Sequence, residues 1–173
     1  LGGGNGAYAA AADLGERGHE VRLWRRSAAE FGDLLSRRRL SLVDHEGTRE
    51  IALGNVTADI GDAVRGAELI VFPGPAFAQP DVARGLAPHL VDGQVVFLPP
   101  GTFGSYLMSR IIREAGNDAD FAIGETGTLP YLTRKRGRQT VAITRRAPRL
   151  PTGIFPVRLD AHARAVIGAA FTS

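Results

Sequence analysis

The chain has 173 residues, 44% of them hydrophobic and 23% charged, with a formal net charge of +3; this is the balance of one globular domain with its own core. Cysteine is absent, which excludes disulfides, thiolate metal sites and cysteine nucleophiles and fits a reducing, cytoplasmic setting. No apolar run reaches the roughly 18 residues of a membrane span, no basic-then-apolar leader opens the chain, and the 7% of aromatic residues do not interleave with the basic clusters as a nucleic-acid stacking surface requires.

The chain opens Leu1-Gly2-Gly3-Gly4-Asn5-Gly6-Ala7, and residues 7–17 follow as an Ala- and Leu-rich run without Pro or a β-branched residue. That run predicts a helix ended by Gly18. Residues 19–24 alternate, with Val21 and Leu23 apolar, and predict a strand. Residues 27–40 read as a helix with Ser27 as N-cap, residues 49–56 as an extended segment and residues 59–65 as a short helix. Residues 67–72 form a short apolar strand broken by Pro73-Gly74-Pro75; residues 79–90 are helical, with Pro80 in the first turn. Residues 94–98 are a second apolar strand, broken by Pro99-Pro100-Gly101, and residues 103–115 an amphipathic helix. Residues 120–123 predict a strand leading into Gly124-Glu125-Thr126-Gly127-Thr128, and residues 139–144 another. Residues 145–156, rich in Pro and Arg, read as a connector out of the sheet, and residues 160–171 as an amphipathic run.

Strands alternate with helices almost throughout, and continuous apolar strands are those covered on both faces. The fold class expected is therefore α/β: a Rossmann-type, doubly wound, mostly parallel sheet. In that fold an apolar strand precedes the glycine loop, and Leu1 is its only candidate remnant, so about five or more residues are expected ahead of it. The expected organisation is a nucleotide-binding domain over residues 1–156, with residues 157–173 a connecting helix toward a second domain.

Gly2-x-Gly4-x-x-Ala7 has the dinucleotide spacing with Ala in third place. The first glycine allows a tight turn, the second lets backbone approach a pyrophosphate, and the small third residue lets helix and strand pack closely. Backbone N–H groups at the helix start then favour negative charge. Gly2, Gly4, Asn5, Gly6 and Ala7 are the candidate cofactor residues, Asn5 as a side-chain donor; the alternative is a structural glycine turn. About twenty residues on, NAD-selective domains place an acid that binds the ribose 2′-OH. Here that stretch reads Leu23-Trp24-Arg25-Arg26-Ser27, without an acid. A guanidinium pairs with a 2′-phosphate where a carboxylate repels it. Arg25 or Arg26 is therefore expected on the 2′-phosphate of NADP, with NAD the secondary cofactor; the alternative is two solvated arginines. Pro75, Ala76, Pro100 and Gly101 follow strand ends and are candidates for the ribose and nicotinamide, against ordinary turn chemistry. Glu125 and Thr126 are candidates facing a substrate, against a helix-end or surface carboxylate. The run Arg134-Lys135-Arg136-Gly137-Arg138 attracts a substrate carboxylate at long range or is simply a solvated loop.

The opening Gly2–Ala12 segment with His19-Glu20-Val21-Arg22-Leu23-Trp24 resembles the start of the opine dehydrogenases, the NAD/NADP octopine/nopaline dehydrogenase group. Pro75-Ala76-Phe77-Ala78, Pro99-Pro100-Gly101-Thr102, Gly124-Glu125-Thr126, Pro130-Tyr131 and Thr133-Arg134 continue the resemblance along essentially the whole chain. It implies a nicotinamide-dinucleotide domain followed by a helical domain. The reaction implied is reductive condensation of a 2-oxo acid with an amino acid, with hydride passing between nicotinamide and the imine carbon. That family's catalytic His and Asp lie in the second domain, so no catalytic residue is expected in this chain, and the chain alone is expected to bind cofactor with little or no turnover. His19, His45, His89 and His162 are read as solvated. The partners implied are the dinucleotide and the two small acids, with neither nucleic acid nor membrane, and a homodimer is left open. Glycerol-3-phosphate or ketopantoate reductase relatives, whose cofactor domains open similarly, and a non-catalytic NADP-binding module are the alternatives.

Overall fold

The computed structural model describes residues 1–171; Thr172 and Ser173, the last residues of the expected connecting segment, lie outside the described residues. Helix α1 (Asn5–Glu16) is Ala-rich and buried from Gly6 to Leu14. A helix hidden on every side belongs between two layers, and two sheets flank α1. Strand β1 (Arg22–Trp24) follows, then a 3-10 turn (Ala28–Glu30), the single helical turn α2 (Leu34–Arg37) and the hairpin β2 (Arg39–Asp44)–β3 (Gly47–Ala52). Next come β4 (Asn55–Thr57), α3 (Ile60–Val64), β5 (Leu69–Val71), α4 (Gln79–Leu86), β6 (Val95–Leu98) and α5 (Gly104–Glu114). The described chain ends with β7 (Ala122–Thr126), β8 (Tyr131–Arg136), β9 (Thr140–Arg146), β10 (Thr152–Phe155) and α6 (Asp160–Phe171).

β1 pairs with β4, and β5, β6 and β7 pair in turn, all parallel; β10 closes the edge antiparallel to β7. Leu1 and Gly2 bridge the two groups: the Leu1 nitrogen donates to the Val71 carbonyl at 2.5 Å, and the Gly2 N–H to the Trp24 carbonyl at 2.8 Å. The resulting order is β4-β1-Leu1/Gly2-β5-β6-β7-β10, so the chain direction of winding reverses at the glycine loop, the position where open α/β sheets bind ligands. Alternation within β6 explains the double covering. Val96 and Leu98 face the core of α3, α4 and α5, while Val95 faces α6, and Phe97 meets Phe171 with ring centroids 5.6 Å apart.

A second sheet, in the order β3-β2-β9-β8, packs on the opposite side of α1. It was not expected. Residues 27–40 are not one helix: the Ser27 side chain makes no cap bond, Gly32 at φ 55° and Arg38 at φ 49° interrupt the run, and Leu40 and Leu42 alternate into the core as β2. Residues 131–136, where no strand was expected and where the basic run 134–138 begins, form β8 with Tyr131 and Thr133 buried. Residues 145–156 do not leave the fold, because β10 pairs with β7 in register from Thr152↔Thr126 to Phe155↔Ile123. The strand expected at residues 120–123 is displaced to β7 and includes Gly124, Glu125 and Thr126. The helix expected over residues 160–171 is present, and its Ala163 and Ala170 are buried against the sheet.

A buried ionic network welds the second sheet to α1. Asp13 of α1 accepts from Tyr131 Oη at 3.0 Å and from Arg146 Nε at 2.6 Å. Arg146 also donates to Asp44 at 3.1 Å, and Asp44 takes two bonds from Arg49, at 2.7 and 3.0 Å. Arg49 in turn reaches Glu16. Burial and the adjacent Asp13 carboxylate push the Tyr131 phenol far above its ordinary value, so it acts as a permanent donor.

Candidate functional site

The glycine loop lies at the carboxyl ends of the parallel strands. Gly2, at φ +105°, makes the turn out of the sheet, a conformation that a side chain would strain. Gly4 is the N-cap of α1 in extended geometry, without a side-chain cap, and the first helical bond runs from the Tyr8 N–H to the Gly4 carbonyl at 3.2 Å. The preceding N–H groups, those of Asn5, Gly6 and Ala7, therefore have no acceptor within the helix. A Cβ built on Gly4 would meet nothing within 4 Å, so the backbone there faces open space. On Gly6 it would lie 2.9 Å from both Pro73 Cβ and Leu129 Cδ1, so only glycine lets α1 sit this close to the turn after β5. Ala7 is buried, and its Cβ packs toward Gly2, the close helix–strand approach expected of the third motif position.

A diphosphate needs donors, a dipole of the right sign and room for backbone approach, and this loop has all three. The residues present fit a dinucleotide. Asn5 departs from its expected part, because its Oδ1 accepts the Lys135 N–H at 2.9 Å and ties the loop to β8; its Nδ2 remains the donor.

The two arginines after β1 diverge. Arg26 is exposed and pairs with Asp81 at 3.3 Å. Arg25 folds inward across the loop: a Cβ on Gly3 would collide with its guanidinium. Its guanidinium also pairs with the Glu30 carboxylate, donates to the Glu30 carbonyl at 3.1 Å and lies 5.8 Å from the Phe31 ring centroid. Arg25 is thus placed beside the motif and Arg26 is not. Two further residues here escaped the sequence pattern. Glu30 comes too late to be the strand-end acid, yet the 3-10 turn carries it back to Arg25. Lys135 donates to the Gly3 carbonyl at 3.2 Å and lies 4.0 Å from the Tyr8 ring centroid. The basic run read as a solvated loop therefore places one cation on the glycine loop. A cation next to three glycines at a distance of 130 residues leaves no mark in local sequence.

The turns after β5 and β6 lie on the same side of the sheet. Pro75 and Ala76 are exposed, while Gly101 is buried beneath Pro100 and held by two bonds: Gln79 Nε2 donates to its carbonyl at 2.7 Å, and its own N–H donates to the Thr126 carbonyl at 3.0 Å. Thr102 and Phe103 follow at φ 55° and 61°, a strained pair of the kind that clusters at ligand sites. Phe77 and Phe103 are each 85% exposed at the rim of this cleft. Glu125 packs against Gly101, and its Oε2 accepts the Ser105 N–H at 3.1 Å, satisfying the start of α5; Thr126 is buried and donates to the Thr128 carbonyl at 2.8 Å. Glu125 Oε2 and the Thr126 hydroxyl are thus engaged within the protein, where they support the Gly101 turn and the start of α5.

The histidines lie elsewhere. His19 is exposed, His45 is 80% exposed at the β2–β3 turn, His89 packs on Gly61, and His162 Nε2 is 2.8 Å from the Gly93 carbonyl. A groove of about 560 Å³, lined by Leu1, Leu14, Val21, Leu23, Leu69 and Val166 among others, runs between β1 and β5 toward the amino ends of the strands, away from this chemistry. Among the described residues there is no cluster of metal-ligating side chains, and no helix is long and apolar enough to cross a membrane.

Winding order, loop and open helix start define the class: a Rossmann-type dinucleotide-binding domain. No family model matches the sequence. Over 144 residues, 82% of this chain and 40% of the relative, it is 31% identical to the opine dehydrogenase of Arthrobacter sp. (strain 1C). A solved octopine dehydrogenase with NADH and L-arginine superposes with TM-score 0.77 at 21% identity, covering 96% of this chain and 45% of that one. A yersinopine dehydrogenase with NADP+ bound superposes with TM-score 0.72 at 14% identity, over 98% and 44%. The chain is thus similar to the opine dehydrogenases, and it spans about two-fifths of the length of the curated relative, in that enzyme's N-terminal part.

Proposed function

We propose that this chain is the cofactor unit of an opine-dehydrogenase-like oxidoreductase and that it takes NADP(H) in preference to NAD(H). In this reading residues 1–156 form the unit, residues 157–173 lead toward a helical substrate domain, and the whole enzyme joins a 2-oxo acid to an amino acid reductively. The observation that carries the reading is the open start of α1, crossed by the Arg25 guanidinium at Gly3. The N–H groups of Asn5, Gly6 and Ala7 take the pyrophosphate charge, and Arg25 takes the 2′-phosphate. The turns at Pro75-Ala76 and Pro100-Gly101 flank the nicotinamide half. When bound, the dihydronicotinamide supplies the hydride. The related structures contain NADH or NADP+, which supports a nicotinamide dinucleotide of either kind; the choice of NADP(H) rests on Arg25.

Trp24, the only tryptophan, anchors its Nε1 on the Ala58 carbonyl at 3.0 Å beside Arg25 and reports on the site. Titration with NADPH and NADH, followed by energy transfer from Trp24, is expected to saturate with NADPH the tighter ligand. Equal affinities would overturn the preference for NADP(H); no saturation with either would overturn the cofactor reading. The same preparation is expected to form no appreciable opine from NADPH, a 2-oxo acid and an amino acid, because the cleft described offers a cofactor wall and engaged carboxylates but no free acid–base pair. Full-rate turnover would refute that part.

A further inference from the structure

The groups around Gly3 make up an anion site that the glycine motif alone does not provide. Arg25 lies on one side of Gly3, and Lys135 of β8 reaches its carbonyl from the other, at 3.2 Å. Arg138, from the turn between β8 and β9, packs against Gly32 just beyond Glu30. Among the described residues, Glu30 is the carboxylate paired in this group, through Arg25, while Lys135 and Arg138 have no ion-pair partner. Buried in the same place is the Tyr8 hydroxyl, on a fully buried side chain beside the Arg25 guanidinium. Burial, and then the charges of Arg25 and Arg138, hold Lys135 below the ordinary lysine range against the opposing Glu30 carboxylate, so an added anion would relieve it further.

We propose that Lys135 is a ligand of the cofactor's 2′-phosphate, and that the β8–β9 hairpin is the element that makes this domain selective for a phosphorylated adenosine ribose. The proposal rests on the dinucleotide reading above. The pyrophosphate is served by N–H groups of α1 on the far side of Gly4, whereas an anion touching both Arg25 and Lys135 sits over Gly3, at the ribose end of the site. The ionic network of Asp13, Arg146 and Asp44 fixes the hairpin's sheet on α1, so Lys135 is presented by a rigid layer and not by a loose loop.

The test compares adenosine 2′,5′-bisphosphate with 5′-AMP, and NADPH with NADH, on the wild type, Lys135→Gln and Lys135→Arg, by calorimetry. Lys135→Gln is expected to weaken the bisphosphate and NADPH roughly 10- to 100-fold, the range of one charged hydrogen bond. 5′-AMP and NADH should change less than about threefold, and Lys135→Arg should retain most of the preference. Equal weakening of all four ligands would assign Lys135 to the loop or the pyrophosphate and overturn the proposal, as would no change at all. Wild-type binding of NADPH with an unaffected Gln variant sinks only the Lys135 assignment; absence of wild-type binding to any dinucleotide sinks the underlying reading as well. Unchanged urea midpoints for the Gln and Arg variants would show that loss of binding is not loss of fold.

Discussion

Arg146→Met tests what holds the second sheet against α1. The wild-type guanidinium lies 2.6 Å from Asp13 and 3.1 Å from Asp44, whose side chains are 3% and 0% exposed. Removing it strands two buried negative charges, and breaking a buried pair from one side costs roughly 3–5 kcal/mol. The penalty is not complete here. Asp13 keeps the Tyr131 hydroxyl at 3.0 Å and Arg17 at 3.4 Å, and Asp44 keeps both bonds from Arg49. The expected loss is therefore near the low end, about 3 kcal/mol, or roughly 6–12 °C in Tm for a chain of this size. Urea unfolding at neutral pH measures it. A second variant, Asp13→Asn with Arg146→Met, removes one stranded charge and should recover a substantial part of the loss, since the two residues share one interaction. A change below about 0.5 kcal/mol for Arg146→Met, or no recovery in the double variant, would mean these ions behave as solvated surface pairs, and the rigid presentation of Lys135 would lose its basis.

Acid should weaken the same joint. The Arg49 bonds, and then the Glu46 N–H and Arg146, hold the Asp44 carboxyl well below the usual carboxylate range against the opposing effect of burial. The unfolded chain then binds its proton first, so the stabilisation is complete above the ordinary value near ~4 and disappears as pH falls below it. The urea midpoint should drop from pH 5 toward pH 2, and Asp44→Asn should flatten that slope; an unchanged slope would be the contrary result. Gly6→Ala places a methyl 2.9 Å from Pro73 and Leu129, short of contact distance on both sides. Overpacking of about 1–3 kcal/mol is expected, together with at least tenfold weaker dinucleotide binding as α1 is pushed from the turn after β5; thermal melts and Trp24 titrations check both.

The Rossmann order was legible because its signals are local. Gly2, Gly4 and Ala7 stand at fixed offsets before an alanine run, and the apolar strands at residues 67–72 and 94–98 end at Pro/Gly breaks, so period and punctuation sufficed. The loop by itself did not separate opine dehydrogenases from reductases that open alike; the likeness to an opine dehydrogenase extends over 144 residues, well beyond the loop. Residues 27–40 misled because the Leu and Arg spacing there suits either helix or strand. Only the pairing of β2 with β3 and β9 decided for strand.

The amino-acid order therefore determined the turn that receives a diphosphate, the small residues that let helix and strand close on it, and the absence of a strand-end acid at Arg25. Tertiary structure decided which of two adjacent arginines turns inward, brought Glu30 back to it, and set Lys135 on the Gly3 carbonyl. The division has one physical cause. Backbone conformation and helix polarity are set within a few residues, whereas a charge acts through space, and its neighbours across 130 residues exist only once two sheets have closed on α1.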